Sequence, residues 1–181
     1  MKTLYFATGN EKKMEIAKKY LGQYFNLQQA DIDVDEVQSD DQEYVAIKKV
    51  RSAFEILQKP VIVEDVGYYI NKYHNFPGVM TKYVINGLGI DGIKQIINEN
   101  DEGYFLGIFA YKDAEREFTV VEKIHGHFTY SYLDTCENKK YPFGKMFVPD
   151  GENQVRDKLL LMEQTKNDCL FDKLREKILS I

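Results

Sequence analysis

Thr8-Gly9-Asn10 joins a short apolar run, Leu4-Tyr5-Phe6-Ala7, to a segment from Glu11 to Leu21 with helical spacing. Gly9 allows a tight turn. A helix that starts there offers backbone N–H groups and the positive end of its dipole. Thr8 and Asn10 add side-chain donors, and Lys12 or Lys13 adds positive charge in the first turn. Lysines in a first turn oppose the helix dipole unless an anion joins them. The same residues also make an ordinary N-capped helix with solvated lysines. A G-x-x-x-x-G-K phosphate loop is absent.

Glu64-Asp65 closes an apolar run, Val61-Ile62-Val63, which reads as a strand ending in two acids. Ligands of open α/β sheets bind beyond that end of a strand. Neighbouring strand residues face opposite sides, so one of the two carboxylates looks into any given cleft. Mg²⁺ takes one or two protein carboxylates and completes its shell with water and phosphate oxygens. The acidic run Asp33, Asp35, Glu36, Asp40, Asp41 supplies helix capping and solubility, with room for one metal ligand that spacing does not single out. Lys48 sits beside the apolar stripe of the next helix, where a lysine snorkels to water or aims into a cleft. Pro77-Gly78-Val79-Met80-Thr81-Lys82 repeats the pairing of turn, hydroxyl and lysine near a helix start. His125-Gly126-His127 places two imidazoles on one strand face, with no third ligand evident. Tyr141-Pro142-Phe143-Gly144 reads as a loop, either a structural turn or an aromatic that stacks on a base.

The elements that must hold these residues follow from periodicity. Met14, Ala17 and Leu21 share one face of the first helix. Asn26 to Val34 suggests a second strand. Ile47, Val50, Phe54 and Leu57 mark a core-facing stripe on a helix over 41–57, capped by Asp40 or Asp41 and stopped by Pro60. Helical segments run from the Pro77-Gly78 turn to about Asn98, with a break near Gly87-Leu88-Gly89. Tyr104 to Tyr111 and Phe118 to Tyr130 form a hairpin. Asp134 to Tyr141 is a polar loop, Met146-Phe147-Val148 a short strand, and Cys169 to Leu179 a closing helix. Alternating strands and helices followed by a hairpin define an α/β protein with a mixed sheet.

The 181 residues suit one domain, read here as 1–181. With 24 Lys+Arg against 29 Asp+Glu the net charge is −5, which argues against a nucleic-acid coat protein. Cys136 and Cys169 form no CxxC pattern, so neither a disulfide scaffold nor a thiolate zinc site is expected. The first apolar run is too short for a signal-peptide core, and no run approaches a membrane span. A cytoplasmic setting is the expectation.

Taken in order, these pieces resemble the inosine triphosphate pyrophosphatase family. Thr8-Gly9-Asn10-Glu11-Lys12-Lys13-Met14-Glu15 is similar to its opening T-G-N-x-x-K-x-x-E, with the final Glu one position early. Val63-Glu64-Asp65-Val66-Gly67 is similar to its acidic motif, with Val66 in place of a serine. Pro77 to Lys82 resembles P-G-x-x-(S/I)-(R/K), and Phe147-Val148-Pro149-Asp150-Gly151 resembles F-x-P-D-G. The likeness is well spaced to about residue 98 and looser to about 170.

The resemblance implies a long mixed β-sheet with flanking helices, two lobes around a central cleft, and a homodimer. It implies Mg²⁺-dependent hydrolysis of a nucleoside triphosphate to the monophosphate and pyrophosphate, without nucleic-acid or membrane partners. Thr8, Asn10, Lys13 and Lys82 would bind the triphosphate. Glu36 and Asp65 would reach the metal, and Asp65 and Lys48 would serve catalysis. Two family features are missing: an Asp-Pro after Phe143-Gly144, and the Ser-His-Arg near the end, where Lys166-Asn167-Asp168-Cys169-Leu170-Phe171-Asp172 stands instead. Phe143, Lys145 and Lys166 are candidates for a substitute base pocket. The expectation is therefore a pyrophosphatase with altered base choice, the alternative being a catalytically impaired nucleotide sensor of the same fold.

Overall fold

The computed structural model describes residues 1–35, 37–136, 140–162 and 169–180. Seven strands form one mixed sheet: β1 (Lys2–Ala7), β2 (Phe25–Ala30), β3 (Val61–Ile70), β4 (Pro77–Gly78), β5 (Glu102–Lys112), β6 (Glu117–Phe128) and β7 (Phe147–Pro149). Their order is β2-β1-β3-β5-β6-β7, with β4 paired to β3. The helices are α1 (Glu11–Leu21), α2 (Gln42–Leu57), α3 (Thr81–Ile96), α4 (Ser131–Thr135), α5 (Phe143–Met146), α6 (Arg156–Met162) and α7 (Leu170–Leu179). The expected α/β class with a mixed sheet and flanking helices is the one observed.

The chain packs as two compact units. The first comprises Met1–Asp65, Gly107–Val121 and Cys169–Ile181, the second Val66–Leu106 and Glu122–Asp168. In the first unit β1 runs parallel to β2, from Lys2 opposite Phe25 to Ala7 opposite Ala30. It also runs parallel to β3, with Tyr5 opposite Val61 and Phe6 opposite Ile62. Parallel neighbours require crossovers, and α1 and α2 supply them. Phe6, Phe109 and Phe171 form an aromatic chain through this unit, with ring centroids 6.0 and 5.0 Å apart.

Helix α1 has the bounds its pattern predicts and buries Met14, Ile16, Ala17 and Leu21. Helix α2 also runs as expected, with Asp41 as cap, but its buried face is rotated. Gln42, Val45, Ala46, Val50 and Ala53 are buried, while Ile47, Phe54 and Leu57 are only half-buried. Two alanines on that face let the helix backbone lie close to its neighbours, so the larger side chains move to the flanks. β2 ends at Ala30, short of the expected Val34.

The second unit is built on Tyr68, Ile70, Phe105, Phe128, Phe143 and Phe147, with Ile93 and Ile97 of the α3 region. The break expected in α3 falls at Gly89, where φ is 61°. Two sequence readings are corrected here. The first two residues of the loop expected over Asp134–Tyr141 belong instead to a short helix, α4, over Ser131–Thr135. Phe143 lies in α5, not in a loop, and is 1% exposed. Its ring stacks on Tyr68 at 5.5 Å and 15°. Flanking Pro142 and Gly144 suggest a turn, but burial of the aromatic outweighs the local signal.

Candidate functional site

Strand β3 does not stop at Glu64-Asp65. It continues to Ile70, because Tyr68 and Ile70 bury their side chains in the second unit's core. The acids are therefore mid-strand. Their neighbour ends instead: β1 finishes at Ala7, one residue beyond the Phe6–Ile62 pair. That register brings the Thr8-Gly9-Asn10 turn level with Glu64 and Asp65. β1, rather than β3, is thus the strand whose carboxyl end meets the turn.

The turn is held from several sides. The Thr8 amide donates to the Ala30 carbonyl (3.1 Å), and Gln29 Nε2 donates to the Thr8 carbonyl (2.9 Å). The Asn10 amide donates to Thr8 Oγ1 (3.1 Å), which leaves the threonine hydroxyl proton to donate elsewhere. A Cβ at Gly9 would sit 2.8 Å from Asp31 Oδ1, and that exposed carboxylate would have to move aside to admit it. Asn10 Oδ1 accepts from the amides of Lys12 (3.0 Å) and Lys13 (3.4 Å). Two of the N–H groups expected to meet an anion are thereby used by the cap. The other donors at this turn are the Thr8 hydroxyl, the Asn10 side-chain NH₂ and Lys13.

Lys13 reaches from α1 across to β3. Its Nζ donates to the Glu64 carbonyl (3.1 Å) and lies 3.3 Å from Glu64 Oε2. An ammonium carries three donors, so this pairing leaves one for a further acceptor. Gln42, buried on α2, donates from Nε2 to the Asp65 carbonyl (3.1 Å). Sequence reasoning overlooked Gln42 as a positioning group. Its signal is a polar residue sharing the buried helical face with Val45 and Ala46.

The remaining candidates are distributed as follows. Lys48 is half-buried on α2, its Nζ 5.4 Å from the Tyr44 ring centroid. Lys82 belongs to the second unit, exposed at the start of α3, 6.0 Å from the Tyr83 ring. The neighbouring Thr81 hydroxyl is committed to structure, donating to the Gly78 carbonyl (2.6 Å) and accepting from the Tyr68 amide (3.0 Å). Glu36 and Lys166 lie outside the described residues. No group of three or more metal-ligating side chains occurs among the described residues. Thr8, Asn10, Lys13, Glu64 and Asp65 are brought together within the first unit.

Comparison with known proteins agrees with this frame. Residues 4–169 match the model of the Ham1 family, and the chain belongs to that family. A dITP/XTP pyrophosphatase of Methanopyrus kandleri is 32% identical over 170 residues, covering 92% of this chain and 88% of the relative. An inosine triphosphate pyrophosphatase of Kluyveromyces lactis is 25% identical, covering 90% and 86%. A HAM1 protein from Coxiella burnetii shares the fold, with a TM-score of 0.76 over the whole of both chains at 15% identity. Among the described residues no helix is long and apolar enough to cross a membrane.

Proposed function

We propose that this chain hydrolyses nucleoside triphosphates to the monophosphate and pyrophosphate, with Mg²⁺ and relaxed base choice. The observation that carries the reading is the gathering of an anion-binding turn, a lysine and two carboxylates where β1 ends. The pyrophosphatase activities named for the relatives give the same direction.

The donor set fits a hard cation. Asp65 offers carboxylate oxygens, and one or two such groups are what Mg²⁺ takes when phosphate supplies the rest. Glu36 belongs to this proposal as a further ligand. Bound there, the ion would neutralise phosphate charge and lower the pKa of a water. The chain's own residues do the positioning. The Thr8 hydroxyl and the Asn10 NH₂ donate to non-bridging phosphate oxygens. Lys13 shares its ammonium between Glu64 and the phosphate chain, which fixes both. Lys48 and Lys82 neutralise the remaining charge. Asp65, its backbone anchored by Gln42, orients the attacking water. Phosphoryl chemistry depends mainly on such positioning and charge stabilisation.

Relaxed base choice rests on the missing Ser-His-Arg and on the burial of Phe143, whose ring packs in the core. A site gains discrimination from polar groups left unpaired by the wrong ligand, and fewer such groups mean weaker discrimination. A homodimer and a cytoplasmic setting complete the proposal, supported by the resemblance alone. The test is pyrophosphate release from a panel of standard and deaminated nucleoside triphosphates with Mg²⁺. Turnover of several bases at comparable kcat/KM is expected. Folded protein that binds triphosphates without releasing pyrophosphate would make the sensor the better reading.

A further inference from the structure

Among the described residues, β7 pairs with the outer edge of strand β6 at Gly126, His127 and Phe128. Carbonyls two residues apart on a strand point the same way. On the outward side the His125 carbonyl accepts from the Asp150 amide (2.9 Å). Nearer the start of β6, within the first unit, two outward carbonyls accept from side chains instead. Lys177 Nζ donates to the Thr119 carbonyl (3.0 Å), and Lys173 Nζ to the Val121 carbonyl (3.4 Å). The two lysines are one helical turn apart on α7, and the carbonyls are two residues apart on β6. A groove of ≈ 420 Å³ runs between helix and strand, lined by Val120, Val121, Lys173, Glu176, Lys177 and Ser180.

We propose that the outer edge of β6 is a latent strand-addition surface, held closed by Lys173 and Lys177, and that its occupant is the same edge of a second copy of this chain. An edge strand with outward N–H and C=O groups is a template for pairing, and lysine on the edge is a known way of blocking it. Phe118-Thr119-Val120-Val121 is aromatic and β-branched, the composition that favours strands. The segment is self-complementary when two copies pair antiparallel about Val120. Thr119 of one copy then faces Val121 of the other, and Glu117 faces Lys123, opposite charges at paired positions. A two-fold axis through Val120 makes the contact closed rather than fibrous. The ammonium groups occupy the acceptors that the second strand needs, so pairing waits on their removal.

The experiment is sedimentation velocity over a range of protein concentrations, comparing the wild-type chain with Lys173→Ala/Lys177→Ala and Lys173→Arg/Lys177→Arg. The Ala pair, which has no side-chain donor, is expected to associate one step beyond the wild-type state, about tenfold more tightly. The Arg pair, which keeps its donors, is expected to behave as wild type. Adding Val121→Pro to the Ala pair removes an outward N–H without breaking the β5–β6 ladder, and should reverse the association. Wild-type sedimentation of the folded Ala pair would overturn the proposal, as would association that survives Val121→Pro. If circular dichroism shows the double variant unfolded, each single Ala variant carries the test. Intermediate association is then expected, and wild-type behaviour in both would overturn the latch.

Discussion

Each unit of the molecule holds a lysine bonded to a carboxylate and to backbone carbonyl, yet the two settings differ. In the first unit Lys13 contacts the Glu64 carbonyl at 3.1 Å and Glu64 Oε2 at 3.3 Å, with the lysine side chain 24% exposed. In the second, Lys145 donates to the carbonyls of Lys140 and Tyr141 and lies 3.7 Å from Asp157 Oδ2, with the lysine 9% exposed. Packing seals the second pair. A Cβ at Gly144 would fall 2.0 Å from Asp157 Oδ1, and the Arg156 guanidinium lies 3.5 Å from the Phe105 ring centroid. Lys145 is a brace within a core. Lys13 stands where an incoming anion can join it. The same two functional groups are thus sealed by packing in one place and left accessible in the other.

The contrast can be broken at three points. Lys145→Met strips a buried carboxylate of its cation and should cost about 3 kcal/mol of stability. Denaturant unfolding would show it, while kcat of the folded fraction stays near wild type. A kcat that falls without loss of stability would move Lys145 into the site. Asp65→Asn should do the reverse, lowering kcat by about 10²-fold or more with little change in unfolding midpoint. An unchanged rate of pyrophosphate release would remove Asp65 from its role. The smallest effect concerns a surface pair outside both settings. Two hydrogen bonds from Arg51, 2.6 and 2.8 Å long, hold the Glu117 carboxyl below the ordinary carboxylate range, against the opposing effect of burial. A carboxylate depressed in the folded state contributes stability above its unfolded pKa and loses it as pH falls through the folded one. Arg51→Ala should therefore lower the unfolding midpoint slightly at neutral pH, and the gap should close in acid. A gap independent of pH would assign the loss to packing.

Much of the fold was legible because it follows from local pattern. The bounds of α1 and α2, the β5–β6 hairpin and the closing α7 all follow from periodicity and caps. The limits are instructive. β3 was expected to stop at two charged residues, yet Tyr68 and Ile70 beyond them enter a core whose other members are distant in sequence. The α2 stripe follows the spacing of Ile47, Val50, Phe54 and Leu57, of which Val50 is buried, whereas Ala46 and Ala53 complete the buried face and give no strong apolar signal. Phe143 carried turn signals on both sides, and only tertiary contacts show that its ring is buried. In the site, the turn was readable from residue type and order. The Lys13–Glu64 bond was not, since it joins residues 51 apart. The diversion of two helix amides to Asn10 is the N-capped reading of the turn, one of the two its residues allow.

That diversion gives Asn10 a direction. Its oxygen is engaged by the amides of Lys12 and Lys13, so its NH₂ faces away from the helix. Aspartate would serve α1 at least as well, since a carboxylate caps and also favours the dipole. It would, however, turn an oxygen outward where asparagine turns hydrogens. Helix stability gives no ground for preferring the neutral residue. On the proposed function, the preference comes from the opposite flank of this side chain, where an electron-rich guest would be welcomed and a second negative charge would repel it.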